Sequence, residues 1–302
     1  MTEHKHLPTV LYAEDDDDVR SYVCDVLTAN GMKVYEASNG QEAIEIYKER
    51  GGFIDVILSD MRMPLLDGGA LANYNYINRN IPFIIYTAFA DAKSAIELLS
   101  VGVYDYLTKP VREKILVGVI KNALFRRSLS AEVPLDENPY AGNVGEITIP
   151  SKTHELKRAN SWIKSHLVKN YLDRLDIDNF IVHINELLLN AYEHGNFKMT
   201  EAKKSELINQ NEYSSYLKGL DEKHAGKIEI SVSVLKNEVA IRIADEGSGF
   251  DTGKYLNMAE NEILNRIDLP NGRGILMSQK FFDSITYTNN GACVLVTKKI
   301  AP

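Results

Sequence analysis

Asp60 stands at the end of an apolar run, Phe53–Ser59, and is followed by Met-Arg-Met-Pro64. Three other short apolar runs also lead to polar groups: Thr9–Ala13 to Glu14 and Asp15, Ile81–Tyr86 to Thr87, and Asp105–Leu107 to Lys109. Carboxylates, a hydroxyl and an ammonium gathered in one place have a definite chemistry. Carboxylate oxygens suit Mg²⁺, which keeps several of its waters and bridges phosphate oxygens, and a lysine can neutralise phosphoryl charge. A second set lies further along. Glu186 and Asn190 are four apart in Phe180–Gly195 and so share a helix face. Val239–Ala244 runs into Asp245-Glu-Gly247-Ser-Gly249, and Asn271-Gly272-Arg273-Gly274 opens a helical stretch to about Phe282. Backbone N–H groups at a glycine-rich helix start bind phosphate. Both halves of the chain therefore point to phosphoryl groups.

For the first set to meet, its apolar runs must be strands of one open sheet, whose carboxyl ends converge on a ligand crevice. Between them, Val19–Ala29, Gln41–Lys48, Asp91–Ser100 and Arg112–Arg127 have apolar residues at helical spacing, and Lys33–Ala37 supplies a further strand. Five βα units predict a doubly wound, five-stranded parallel α/β domain over residues 1–127. Residues 128–145, with Pro134, Pro139, Gly142 and Gly145 and no apolar period, read as a linker. An α+β sandwich is expected over 146–302. Its elements are strand-like Ile147–Pro150, helices His154–Leu172 and Phe180–Gly195, and a β pair, Ser284–Thr288 and Ala292–Lys299, joined by Asn289-Asn290-Gly291. Lys198–Gly226 reads as a charged, tyrosine-bearing insertion that packs over the fold or offers a partner surface. Asp16, Asp17 and Asp18 read as a solvated helix start.

Composition narrows the possibilities. At 302 residues, 25% charged and 44% hydrophobic, the chain can bury two cores. No run approaches the ~18 to 20 apolar residues of a membrane helix, and the start, Met-Thr-Glu-His-Lys-His-Leu-Pro, lacks an apolar signal region, so a cytoplasmic protein is expected. Cys24 and Cys293 are expected to be reduced thiols. A net charge of -8 without a basic cluster argues against direct DNA binding. No His/Cys spacing suggests zinc. His183 is expected in helix packing, and His194 by the Gly195 cap or the rim of the second set's site.

Residues Pro8 to about Arg127 resemble a response-regulator receiver domain of two-component signalling. The resemblance implies that Asp60 accepts a phosphoryl group from a sensor histidine kinase. Glu14, Asp15, Asp60 and the Arg62 carbonyl would hold Mg²⁺, and Lys109 would neutralise phosphoryl oxygens. Thr87 would donate its hydroxyl, Tyr106 would swing inward behind it, and Pro110 falls at the family's usual cis-proline site. Arg62 and Phe89 occupy positions that tune phosphate lifetime, a bulky Phe89 hindering the attacking water.

Residues from about Glu146 to Lys299 resemble the ATP-binding fold shared by histidine kinases, gyrase-type ATPases and anti-sigma serine kinases. The single helix after Glu146-Ile-Thr-Ile-Pro-Ser and the lone Gly-Arg-Gly favour the anti-sigma branch. By that resemblance Asn190 coordinates Mg²⁺ and Asp245 accepts from the adenine amino group. Gly247 and Gly249 let the backbone approach the nucleotide. Gly272, Arg273 and Gly274 cover the phosphates, Thr297 touches the adenine pocket, and Asp251–Pro270 forms a lid. Glu186 orients or deprotonates the attacking hydroxyl. The expectation is a response regulator whose Asp60 state controls a serine/threonine kinase requiring ATP and Mg²⁺. Its substrate would be an anti-sigma-antagonist-like protein, with a sigma factor as a second partner and a homodimer as the assembly. Two other readings stand beside it: an ATP-binding module that sequesters a partner without phosphotransfer, and an atypical histidine kinase or phosphorelay protein. His154-Glu155-Leu156-Lys157 resembles a phospho-acceptor box, although one helix rather than a dimerising pair precedes Asn190, and a surface role at the helix start is preferred.

Overall fold

The five expected apolar runs form β1 (Thr9–Ala13), β2 (Lys33–Ala37), β3 (Val56–Ser59), β4 (Phe83–Thr87) and β5 (Asp105–Thr108). β1, β3 and β4 are buried along their whole length, as a parallel sheet covered on both faces requires. The computed structural model describes residues 7–78, 81–88, 103–130, 145–169, 177–223, 226–235, 238–250 and 273–299. The first sheet is parallel, in the order β2-β1-β3-β4-β5. Its order reverses between β1 and β3, with Ala13 opposite Ser59. That reversal opens a crevice at the carboxyl ends, which Glu14 and Asp60 flank.

Local chemistry sets the helices. Asp16 caps Asp17–Ala29 by accepting from the Asp18 and Val19 backbone N–H groups at 3.0 Å each, so it belongs to the cap, as expected. Gly68–Asn78 is a helix that the apolar spacing did not announce. Its Gly-Gly-Ala-Leu-Ala-Asn-Tyr-Asn-Tyr composition lacks a clean stripe, and it is fixed instead by the buried Asn75, which donates to the Ile81 carbonyl at 2.7 Å and accepts from the Ile81 N–H at 3.0 Å. Asp91–Ser100 lies outside the described residues.

The chain divides into two compact units, with a first boundary between Leu124 and Phe125 and with Ile208–Asn211 grouping with the first unit. This boundary lies within the helix Glu113–Ser130. In the second unit β6 (Glu146–Pro150), β7 (Lys227–Leu235), β8 (Glu238–Asp245), β9 (Ser284–Thr288) and β10 (Cys293–Lys299) form an antiparallel sheet in the order β6-β7-β8-β10-β9. Helices Thr153–Lys169, Ile177–Asn190 and Arg273–Phe281 pack together. The sheet residues Ile147, Ile149, Ile228, Ile230, Ile241, Ile243 and Val296, with Trp162 and Phe180 from the helices, supply the core of this α+β layer pair. α-Helical bonding stops at Asn190, and a wider π-helical turn, Ala191–Asn196, follows.

The insertion forms helices Glu201–Asn209 and Tyr213–Leu220. Both are pinned to the π turn: Lys204 and the Tyr213 hydroxyl bond the fully buried Glu193 carboxylate, and the Tyr192 hydroxyl donates to the Leu217 carbonyl at 3.1 Å. This is the packing role of the two expected. Cys24 and Cys293 are buried free thiols. Among the described residues no helix is long and apolar enough to cross a membrane.

Candidate functional site

The carboxyl end of the parallel sheet gathers the first set. One carboxylate oxygen each from Glu14, Asp15 and Asp60 lies within 4.8 Å of the others. An all-oxygen set at this spacing fits a hard divalent ion with metal–oxygen bonds of about 2.0–2.1 Å, as Mg²⁺ requires. Lys109 Nζ is 3.0 Å from Asp60 Oδ2 and also bonds Glu14 Oε2, to which the Tyr12 hydroxyl donates at 2.9 Å. Burial pushes the Glu14 carboxyl above its ordinary range against the pull of Lys109 and Tyr12. Burial alone would lower Lys109, but its bonds to Glu14 and Asp60 outweigh that and the net shift is upward. The Met61 and Arg62 N–H groups donate to Asp60 Oδ1 at 2.5 and 3.4 Å, which leaves Oδ2 facing the lysine. Thr87 is buried at the end of β4, and its carbonyl accepts from the Lys109 N–H at 2.8 Å. Tyr106 is turned inward, packed in the core. The Lys109–Pro110 peptide is cis. Phe89 lies outside the described residues.

The second unit contains a pocket lined among others by Leu187, Asn190, Gly195, Ile243, Asp245, Gly249 and Tyr287. Strand alternation puts Asp245 on the same face of β8 as the buried Ile241 and Ile243. Gly195 allows the π turn to close onto it, since a Cβ there would sit 2.3–2.6 Å from the Asp245 carboxyl atoms. The Gly247 N–H donates to Asp245 Oδ1 at 2.8 Å, and burial pushes this carboxyl up to about 6. Gly249 has φ 75°, and a Cβ there would lie 2.0 Å from the Asn290 carbonyl oxygen. The turn Asn289–Gly291, with φ values of 51°, 54° and 94°, thereby forms one wall of the pocket as well as joining β9 to β10. Two buried polar atoms of the lining, Asn190 Nδ2 and Tyr287 Oη, have no hydrogen-bond partner. Such orphans beside a carboxylate fit a polar ligand that satisfies them.

Several expected residues take other places. Thr297 does not line the pocket. It lies on the opposite face of β10 from Val294, three residues along, with its hydroxyl 2.9 Å from that of Ser284. Gly247 is also absent from the lining and packs on Gly195, whose carbonyl oxygen would meet a Cβ at 2.2 Å. Glu186 does not face the pocket freely: it is paired with Arg126. Arg273 and Gly274 open the helix Arg273–Phe281, whereas Gly272 and residues 251–270 lie outside the described residues. His183 is buried and stacked on Phe281 at 4.2 Å, as helix packing requires. His194 donates from Nδ1 to the Met199 carbonyl at 2.5 Å. His154 is exposed at the start of its helix beside Glu155. Tyr287 and Arg126 are the residues that sequence reasoning missed. An aromatic in an alternating strand reads as core, and a basic residue in a last helical turn reads as a response to the helix dipole.

The description "Response regulator receiver domain" matches residues 10–121, and "Histidine kinase-like ATPase domain" matches residues 218–298. The chain thus carries a receiver domain and a histidine-kinase-like ATPase domain. The second match begins after the helix that bears Glu186 and Asn190. The chain is 31% identical over 125 residues to Regulatory protein AtoC of Escherichia coli (strain K12), an alignment covering 41% of this chain and 27% of AtoC. It is 36% identical over 117 residues to Sensor kinase CckA of Brucella abortus (strain 2308), covering 38% of this chain and 12% of CckA. Less than a third of either relative is therefore spanned. A solved response regulator receiver domain protein from Clostridium thermocellum is 31% identical, covering 41% of this chain and 100% of its own, at a TM-score of 0.40.

Proposed function

We propose that this receiver–ATPase chain is a response regulator whose Asp60 takes a phosphoryl group from a sensor histidine kinase, and whose second unit is an ATP-dependent serine/threonine kinase. The observation that carries the nucleotide site is the pair of orphaned atoms, Asn190 Nδ2 and Tyr287 Oη, facing the same pocket as Asp245. Asp245 accepts from the adenine amino group, Asn190 helps to hold Mg²⁺, and the start of Arg273–Phe281 receives the phosphates. In the transfer the substrate hydroxyl oxygen bonds to the γ-phosphorus, the bridging β–γ bond breaks, ADP leaves and the hydroxyl proton passes to Glu186. Positioning and charge neutralisation supply most of the acceleration for such a step. A serine or threonine acceptor is favoured because β6 leads directly into one helix, Thr153–Lys169, with His154 exposed on its first turn and no preceding helical partner among residues 145–152. The acceptor is an anti-sigma-antagonist-like protein, with a sigma factor as a second partner and the chain acting as a dimer.

The test is to incubate purified protein with γ-labelled ATP, Mg²⁺ and a lysate of the source cells, beside Glu186→Ala. Acid-stable label on a small protein, lost in the variant, is the expected result. Acid-labile label would move the chemistry to histidine. ATP binding with no transfer would leave a sequestering module.

A further inference from the structure

Arg126 belongs to none of the phosphoryl-binding motifs. It lies near the end of the helix Glu113–Ser130, in the part from Phe125 onward that groups with the second unit. There its Nη1 pairs with Glu186 Oε2, each side chain only 11% exposed. The surrounding helix end is fastened at several points. Asn185 Nδ2 donates to the Arg126 carbonyl at 3.3 Å, and Asn160 Nδ2 donates to the Leu129 carbonyl at 3.1 Å and to Asn185 Oδ1 at 2.9 Å. The Phe125 ring meets Tyr213 edge to face at 5.9 Å. Carbonyls at a helix C-terminus lack intrahelical partners, and here the buried Asn160 supplies one for Leu129, while the buried Asn185 adds a second bond one turn earlier, at Arg126. This end is built to dock, and its docking delivers a guanidinium to Glu186.

A general base must present a free oxygen to the incoming hydroxyl at about 2.6–3.2 Å. In this structure Glu186 Oε2 is bonded to a cation. That cation lies outside the motifs that line the pocket. It comes from a helix that starts four residues after Lys109, so the pairing holds only while the helix end stays docked. We propose that Arg126 is a latch which withholds Glu186 from the acceptor hydroxyl until this helix end shifts. The inference rests on reading Glu186 as the base. Were Arg126 instead an aid that positions Glu186 for transfer, its removal would have the opposite sign.

The whole chain tests this with the labelled-ATP assay, read as initial rate at saturating ATP, alongside nucleotide affinity measured by equilibrium dialysis. Arg126→Gln is expected to raise the transfer rate about 5- to 30-fold, the factor that 1–2 kcal/mol of restraint represents, with ATP affinity unchanged. Arg126→Lys, which keeps the charge, stays close to wild type. Asn160→Ala, which loosens the helix end and leaves the ion pair's own groups intact, moves in the direction of Arg126→Gln and decides the matter if that variant fails to fold. A rate at or below wild type in Arg126→Gln or Asn160→Ala, with ATP still bound, overturns the latch and leaves the kinase reading standing. Bound ATP without transfer by wild type or any variant overturns both.

Discussion

Tyr287 and Asn190 each bury a polar atom that finds no partner in the protein. Leaving such a group unsatisfied costs about 1–3 kcal/mol, so its persistence in a pocket wall is better explained by a ligand than by the fold. Burial likewise pushes the Tyr287 hydroxyl well above its ordinary range, which keeps it a neutral donor. Tyr287→Phe removes the hydroxyl and keeps the ring that packs edge to face on Phe250 at 5.4 Å. The variant should bind ATP about fivefold more weakly, corresponding to about 1 kcal/mol, while the unliganded protein is as stable as wild type or slightly more so. Equilibrium dialysis and thermal denaturation check the two halves; unchanged affinity with lowered stability would assign the hydroxyl to the fold. Asp60, Lys109, Asn190 and Asp245 were legible because their types recur at strand ends or helical spacing, where backbone geometry aims them. Thr297 stands on the other face of β10 from Val294, and which face of a strand meets a pocket is set by the sheet's packing rather than by the strand's own sequence.

Elements obey stronger rules than single side chains, and most of them were visible in the sequence. The five parallel strands are continuous apolar runs, and the acid–amide helix and the final hairpin have clear periodicity or turn chemistry. Gly68–Asn78 was not visible because tertiary packing around Asn75, rather than an amphipathic stripe, holds it. The extension of Glu113–Ser130 past Arg127 was hidden because its end is stabilised by Asn160, far along the chain, which bonds the Leu129 carbonyl. The packing of Ile177–Asn190 on Arg273–Phe281 carries its own pH dependence. His183 is buried in that contact, against Phe281 and Phe282, and burial, assisted by the Lys298 charge, holds its pKa down to about 3. An unfolded histidine titrates near 6.5. The unfolded chain therefore binds the extra proton first, and stability falls as pH drops below about 6.5, by about 2 kcal/mol at pH 5. His183→Leu should remove this loss. Urea midpoints at pH 7 and pH 5 measure it, and an equal acid shift in wild type and variant would place the sensitivity elsewhere.

At the scale of the whole chain, the helix that starts soon after Lys109 continues unbroken to Ser130 and carries Arg126 near its end. Coupling between sites is a free-energy difference between states, so it must be lost when the element that distinguishes those states is removed. If phosphorylation acts by undocking the helix end, the effects of Asp60 modification and of Arg126 substitution cannot add, because both release the same restraint. Beryllofluoride with Mg²⁺, a phosphoryl mimic for an aspartate, supplies the signal without a partner kinase. Wild type should respond with a transfer rate approaching that of Arg126→Gln, about 5- to 30-fold above its resting value. Arg126→Gln should begin at the high rate and respond no further, and Asp60→Asn should stay at the resting rate throughout. Multiplicative effects, with Arg126→Gln still stimulated by the wild-type factor, would show that the Asp60 signal reaches the ATP site by a route that bypasses Glu186.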